Sequence, residues 1–316
     1  MATSTADHAL EAYLSDTRAR VDIVLERWSA AATAFWPAPV PAAVQYSVLS
    51  TGKRLRPTLV FAAYEALGGD DPMSAGIAEL AAAVEVVHAY SLVHDDLPCM
   101  DNDDLRRGRP TVHRAFDVRA ATSAGFHMVG LAARVLASGL DTLHMESERR
   151  QAIALELFRA AGAGGMIGGQ VLDLEAEASA ISSDALREVH QRKTGALIAA
   201  ACVIGGLAAG GGGGGAGTGA PAVHLAALRA YGEAIGLAFQ IADDILDATA
   251  TSAQLGKTAG RDAALAKSTF VSILGVGAAR AEAERLAAQA VDRLRQAALV
   301  SPTLVALAHY IVNRTN

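Results

Sequence analysis

Across residues 8–33 the apolar positions recur at helical spacing with polar residues between them, which predicts an opening amphipathic helix. The proline-marked "WPAPVP" (36–41) interrupts it, and a helix resumes through "AAVQYSVLS" (42–50). Residues 76–94, "GIAELAAAVEVVHAYSLVH", are apolar on nearly every face, so the helix predicted there is buried rather than laid on a surface. Further helices are predicted over 118–138, 147–163, 183–209, 222–247, 278–298 and 302–314. Six glycines at 210–215, continuing as "AGTGAP", read as a flexible connection; no strand precedes them and a nucleotide-loop spacing is missing. No shift in composition marks a boundary, and the expectation is one all-α domain over residues 1–316.

Composition sharpens this. The chain is 52% hydrophobic but only 5% aromatic, so its apolar content is mainly Ala, Leu and Val, which favours helix over sheet. A net charge of −6 and a pI near 5.8 argue against a nucleic-acid partner. Two cysteines, Cys99 and Cys202, make no disulfide framework and suit a reducing cytoplasm. The N-terminus lacks the basic start and apolar run of a secretory signal. Residues 194–228 hold no Asp, Glu, Lys or Arg, yet their apolar part, "GALIAAACVIGGLAA", falls short of the roughly 20 residues a membrane span needs. A buried helix of small residues is expected instead.

The chemistry gathers in two acidic stretches. "HDDLPCMDNDDLRRGRP" (94–110) and "FQIADDILD" (239–247) each end a long apolar helix. Asp243 and Asp247 are one turn apart on one helical face, with Asp244 turned aside by about 100°. Asp95 and Asp101 would be about 120° out of phase on an ideal helix, and Pro98, which cannot donate to the carbonyl of His94, is expected to bulge the helix and bring them together. Solvated helix ends would explain either stretch alone. Their repetition points instead to carboxylates facing each other across a cavity and sharing a hard cation, Mg²⁺, held through oxygen and completed by substrate phosphates. An EF-hand is excluded because its sixth position must be Gly, where Arg106 stands. Basic residues occur in four groups suited to phosphate: Lys53, Arg54 and Arg56; Arg106, Arg107 and Arg109; Arg192 and Lys193; Lys257, Arg261 and Lys267. "LGKT" (255–258) is not a P-loop, since Thr251 occupies the place of its first glycine.

With these motifs in order, "GKRLRP", "HAYSLVHDDLPCMDNDDLRRGRPT", "GGQVLDLE", "HQRKTGAL", "FQIADDILD" and "LGKTAGRDAALAKSTF", the chain from about residue 45 onward resembles the trans-isoprenyl diphosphate synthases, especially the bacterial short-chain enzymes. The resemblance implies a bundle of long helices around a deep central cavity, a homodimer, and head-to-tail condensation of isopentenyl diphosphate with an allylic diphosphate (dimethylallyl or geranyl). It implies three Mg²⁺ ions held by Asp95, Asp101 and Asp243, supported by Asp96, Asp244 and Asp247. Arg106, Lys193 and Lys257 would grip the allylic diphosphate, Lys53, Arg56, His88 and Arg107 would hold the isopentenyl diphosphate, and Lys267 would be a further substrate-binding residue. Thr194 and Gln240 would flank the carbocation, and the released diphosphate would take the proton. Tyr90, roughly 7.5 Å along the helix from Asp95, would with Ser91 form a floor that limits the tail, giving a farnesyl product.

One segment departs from the resemblance. In "AGFHMVG" (124–130), Phe126 takes the place of an acidic residue, which bears on pocket depth, helix packing or dimer contact. The alternatives are a geranylgeranyl diphosphate synthase, a class I terpene cyclase, and an inactive partner subunit. Retention of "GKRLRP" and of both aspartate clusters stands against the last two.

Overall fold

The computed structural model describes residues 5–32, 36–69, 75–176, 181–209, 220–249 and 268–314, with side chains from residue 8. The helices are α1 (Thr5–Ala32), α2 (Val40–Val48), α3 (Leu55–Ala66), α4 (Ala75–Asp95), α5 (Val112–Ala115), α6 (Val118–Thr142), α7 (Ser147–Ala161), α8 (Met166–Glu175), α9 (Ser183–His190), α10 (Ala196–Ala209), α11 (Ala222–Thr249), α12 (Phe270–Leu274), α13 (Val276–Gln296) and α14 (Pro302–Asn313). Strands β1 (Leu105–Arg106) and β2 (Arg109–Pro110) form a small antiparallel ribbon, the one exception to an all-α description among the described residues.

Helix α4 stands at the centre, touched by α1, α2, α3, α6 and α10. Its residues from Gly76 to Val87 are all buried, which is why the sequence shows no polar face there. Two helical stretches, Ala75–Asp95 and Ser183–Ala209, are long and apolar enough by composition to cross a membrane, but 83% and 78% of their apolar windows are buried inside the fold. Packing therefore accounts for their apolarity. A second cluster, from Leu186, Leu237, Ile241, Ile245, Phe270 and Leu286, fixes the acidic end of α11 against α9, α12 and α13.

The long predicted helices are present with shifted ends. The stretch expected to run unbroken from 183 to 209 is split by a π-helical turn, Gln191–Gly195. Helices α3 and α8 were not expected. Nearly all of α3 is buried, so its sequence carries no amphipathic period to detect. The glycine run at 210–215 lies outside the described residues.

Buried charge ties the first helices to the core. Arg54, in left-handed backbone (φ 49°), donates to Glu85 Oε1 at 2.8 Å, to Asp22 Oδ1 at 2.9 Å and to the Val48 carbonyl at 2.8 Å. Glu79 on α4 receives Arg27 and Trp28 from α1 and Ser138 and Thr142 from α6. Removing one member of such a cluster strands its partners in low dielectric. Arg54→Ala should lower unfolding stability by about 3–5 kcal/mol, measured as a shift in the urea midpoint at constant slope.

Candidate active site

Helix α4 stops at Asp95, and the chain turns at once. The Leu97 amide takes the His94 carbonyl at 3.1 Å, and the Asp101 amide donates to the Asp95 carbonyl at 2.8 Å. The expected bulge within a continuing helix is thus a tight terminal turn, but its effect is the expected one: Asp101 folds back over Asp95. The chain then forms the ribbon, where Arg107 (φ 53°) and Gly108 (φ 74°) make the two-residue turn. This hairpin aims Arg106 and Arg107 back toward α4. The Arg107 guanidinium lies on the backbone of Gly52, where an added Cβ would come within 2.6 Å of Nη1, and it donates to Ser50 Oγ at 3.2 Å.

These elements enclose a cavity of about 710 Å³. Asp95, Asp101, Asp103, Asp243 and Asp244 line it, so the two acidic stretches do share one space. So do Arg56, His88, Arg106 and Arg107, and from the π-helical turn and α11, Lys193, Thr194 and Gln240. Tyr90, Ser91, Phe126, Val129, Met166, Ile167 and Val171 form its apolar part. Asp96 and Asp247 lie buried behind the wall rather than in it. Lys53 is outside the lining but close enough to Asp243 and Arg314 to feel both. Lys257 and Lys267 lie outside the described residues.

Four of the acids in and around the cavity, Asp96, Asp103, Asp173 and Asp243, have a cation set against them. Arg106 forks onto Asp96, with Nε at 2.8 and 2.9 Å from its oxygens, and reaches Asp103 at 3.4 Å. Lys193 Nζ meets Asp173 at 2.7 Å. Arg314 pairs with Asp243, donates to the Phe239 carbonyl at 3.1 Å, and lies 3.9 Å over the Phe239 ring. Thr194 donates to Gln240 Oε1 at 3.1 Å, and the Gln240 amide reaches Asp244 at 3.4 Å. Asp244 also caps the Phe270 amide at 2.9 Å.

The electrostatics follow from burial. Asp95 is pushed up to about 6 by desolvation, with Asp101 and Asp96 adding to the rise against Lys193 and Arg106. Burial would lower Lys193, but Asp173, Asp95 and Asp101 outweigh it and hold the ammonium charged. His88 is driven well below its usual value by burial and then by Arg56, Arg107, Arg106 and Arg54, so it stays neutral. Arg56 falls to about 10 and Lys53 to about 8, burial first in both cases.

The donor set fits a hard cation that brings phosphate with it. Among the described residues no three His, Cys, Asp or Glu side chains converge to hold an ion by themselves. Mg²⁺ takes one or two carboxylates and completes its shell with phosphate and water. Buried atoms in the same wall also await partners: Arg56 Nε and both amide atoms of Gln170 have no hydrogen bond. Gln170, Asp173 and Arg314 were not singled out from the sequence. The first two sit inside "GGQVLDLE", three residues apart, whereas Arg314 is a lone base near the C-terminus with no local pattern to mark it.

Residues 38–303 match the family model described as polyprenyl synthetase. The chain is 44% identical over 284 residues to the farnesyl diphosphate synthase of Escherichia coli (strain K12), across 89% of this chain and 91% of that protein. It is 41% identical over 288 residues to geranylgeranyl pyrophosphate synthase 12, chloroplastic, of Arabidopsis thaliana, across 89% and 75%. Its fold is similar to the crystal structure of geranyltransferase from Helicobacter pylori complexed with magnesium and isoprenyl diphosphate, with a TM-score of 0.77, 30% identity, and coverage of 99% and 98%.

Because burial raises Asp95 above its unfolded value, ionising it opposes folding. The stability this group gives is intact below about pH 4 and lost as pH rises through about 6. In chelator-treated protein, Asp95→Asn should therefore be about 1–2 kcal/mol more stable than wild type at pH 7.5, with the gap closing by pH 4.5, as urea unfolding at the two pH values would show.

Proposed function

Because the chain belongs to the polyprenyl synthetase family and is a trans-prenyltransferase, we propose that its cavity joins isopentenyl diphosphate to an allylic diphosphate and releases a short-chain product. The observation that carries this reading is one cavity lined by acids from both acidic stretches, by cations and by apolar side chains together. The reaction is magnesium-dependent. Asp95, Asp101 and Asp243 are the proposed ligands, with Asp96, Asp244 and Asp247 holding the surrounding charge and backbone in place. Bound there, Mg²⁺ would neutralise the departing diphosphate.

The chain's own side chains supply the rest. Arg106 and Lys193, with Lys257, are proposed to hold the allylic diphosphate, and Lys267 is proposed as a further substrate contact. Lys53, Arg56, neutral His88 and Arg107 are proposed for isopentenyl diphosphate. As the allylic carbon–oxygen bond breaks, the double bond of isopentenyl diphosphate forms the new carbon–carbon bond, and a proton passes to the released diphosphate. The Thr194 hydroxyl and Gln240 carboxamide face this region as dipoles rather than charges, suited to an electron-poor carbon, and the apolar wall keeps water from it.

Two product lengths stand. Similarity to a plant protein named geranylgeranyl pyrophosphate synthase supports twenty carbons. Tyr90, 8% exposed and one residue beyond a helical turn from Asp95, supports fifteen. We also propose a homodimer in the cytoplasm, supported by the apolar outward stripe of α6 at Phe126, Val129, Gly130, Ala133 and Ala137.

Incubation with labelled isopentenyl diphosphate, dimethylallyl or geranyl diphosphate and Mg²⁺ should give a fifteen- or twenty-carbon product, and chelation should stop turnover. Cyclised hydrocarbon, or no elongation, would overturn the reading. Asp95→Asn and Asp243→Asn should each lower kcat by a factor on the order of 10²–10³, with product sizing as control. Tyr90→Ala should lengthen the product by at least one isoprene unit.

A further inference from the structure

Aromatic side chains from two helices, α4 and α6, meet in the lining of the cavity. Tyr90 and His94 are one turn apart on α4, and their rings meet edge to face at 5.7 Å. His94 in turn meets Phe126 of α6 edge to face at 5.3 Å. The three rings form a continuous ladder, and all three residues line the cavity. The middle rung is fixed: His94 Nε2 donates to the Thr122 carbonyl at 3.2 Å, and its ring lies on the backbone of Gly125, where an added Cβ would come within 2.0 Å of Nε2. His94 therefore cannot swing toward α6 without clashing, and Phe126 closes its other side.

We propose that Phe126 is a second length-determining side chain, bracing Tyr90 through His94 and standing with Val129 as the α6 wall of the tail channel. The inference rests on the prenyltransferase reading above. Phe126 is 68% exposed in the single chain, so the core of this chain does not depend on burying it, and the contacts it does make within the chain are with His94 and the cavity. Its inner edge, against His94 and the cavity, is the part in use. An acid at this position would place charge beside an apolar tail, whereas the ring extends the hydrophobic surface the tail meets. Without the ring, the Tyr90–His94 pair loses its backing and the channel widens on its α6 side.

The test is product sizing for wild type, Phe126→Ala, Phe126→Leu, Phe126→Tyr and Tyr90→Ala, with isopentenyl and geranyl diphosphates and Mg²⁺. Phe126→Ala and Phe126→Leu should raise the ratio of the next longer product to the main product about tenfold, a change of ~1.4 kcal/mol in relative barrier. Phe126→Tyr, which keeps the ring, should match wild type. Circular dichroism identifies any variant that fails to fold, and Phe126→Leu keeps the question open to decision if Phe126→Ala does. An unchanged distribution in a folded ring-less variant, whether or not oligomeric mass changes, overturns the proposal. Absence of elongation in wild type itself would instead sink the prenyltransferase reading, and the two failures are distinct.

Discussion

Gathering ionised carboxylates at the ends of two buried helices is the constraint that shapes this molecule. Each such group loses several kcal/mol of hydration on leaving water, and neighbours of like sign make matters worse. The fold answers with an opposing cation drawn from a different element: the ribbon gives Arg106 to Asp96, the π-helical turn gives Lys193 to Asp173, and the C-terminal end gives Arg314 to Asp243. The balance is incomplete at Asp95, and the raised protonation of that carboxyl is the residue of the imbalance. In the proposed reaction a divalent ion and a diphosphate would complete it. Stability is thus given up where binding needs it, and the ligands are held in advance of their load.

The same charge pattern made the site legible in the sequence. Two aspartate stretches closing apolar helices, interleaved with arginines, cannot be placed inside a helical protein without facing a common space, and Asp95, Asp101, Asp243 and Asp244 do face one. The central helix was legible too, because a segment with no polar face has nowhere to go but the interior. What could not be read was local geometry that depends on partners. The α4 terminus is a closed turn because Asp101 finds the Asp95 carbonyl, a bond no periodicity announces. Helix α3 hides because it is buried on all faces. Arg314 hides because its role is defined by a contact with a residue 71 positions away.

The ribbon shows how little structure is needed to aim a side chain. Two residues in left-handed backbone reverse the chain, and the paired residues Arg106 and Arg109 then point by register alone. Arg106 enters the cavity wall, while Arg109 lies 4.1 Å over the Tyr46 ring and pins the ribbon to α2. Gly52 completes the arrangement by leaving its backbone bare beneath Arg107. A stretch that reads as mere basic composition is, in three dimensions, a rigid pointer.

The π-helical turn at Gln191–Gly195 has a consequence for how this chain can change over time. Such a turn holds one residue more than the surrounding helix needs, and Lys193 and Thr194 owe their inward aim to that surplus. Deleting any single residue of the turn would restore regular winding, and the helix would remain intact. The flanking helices would keep their places, because the turn had absorbed the extra residue, but Lys193 and Thr194 would lose the widened backbone that turns them into the cavity. Lineages could thus lose the activity through one in-frame codon loss that leaves a well-folded protein behind.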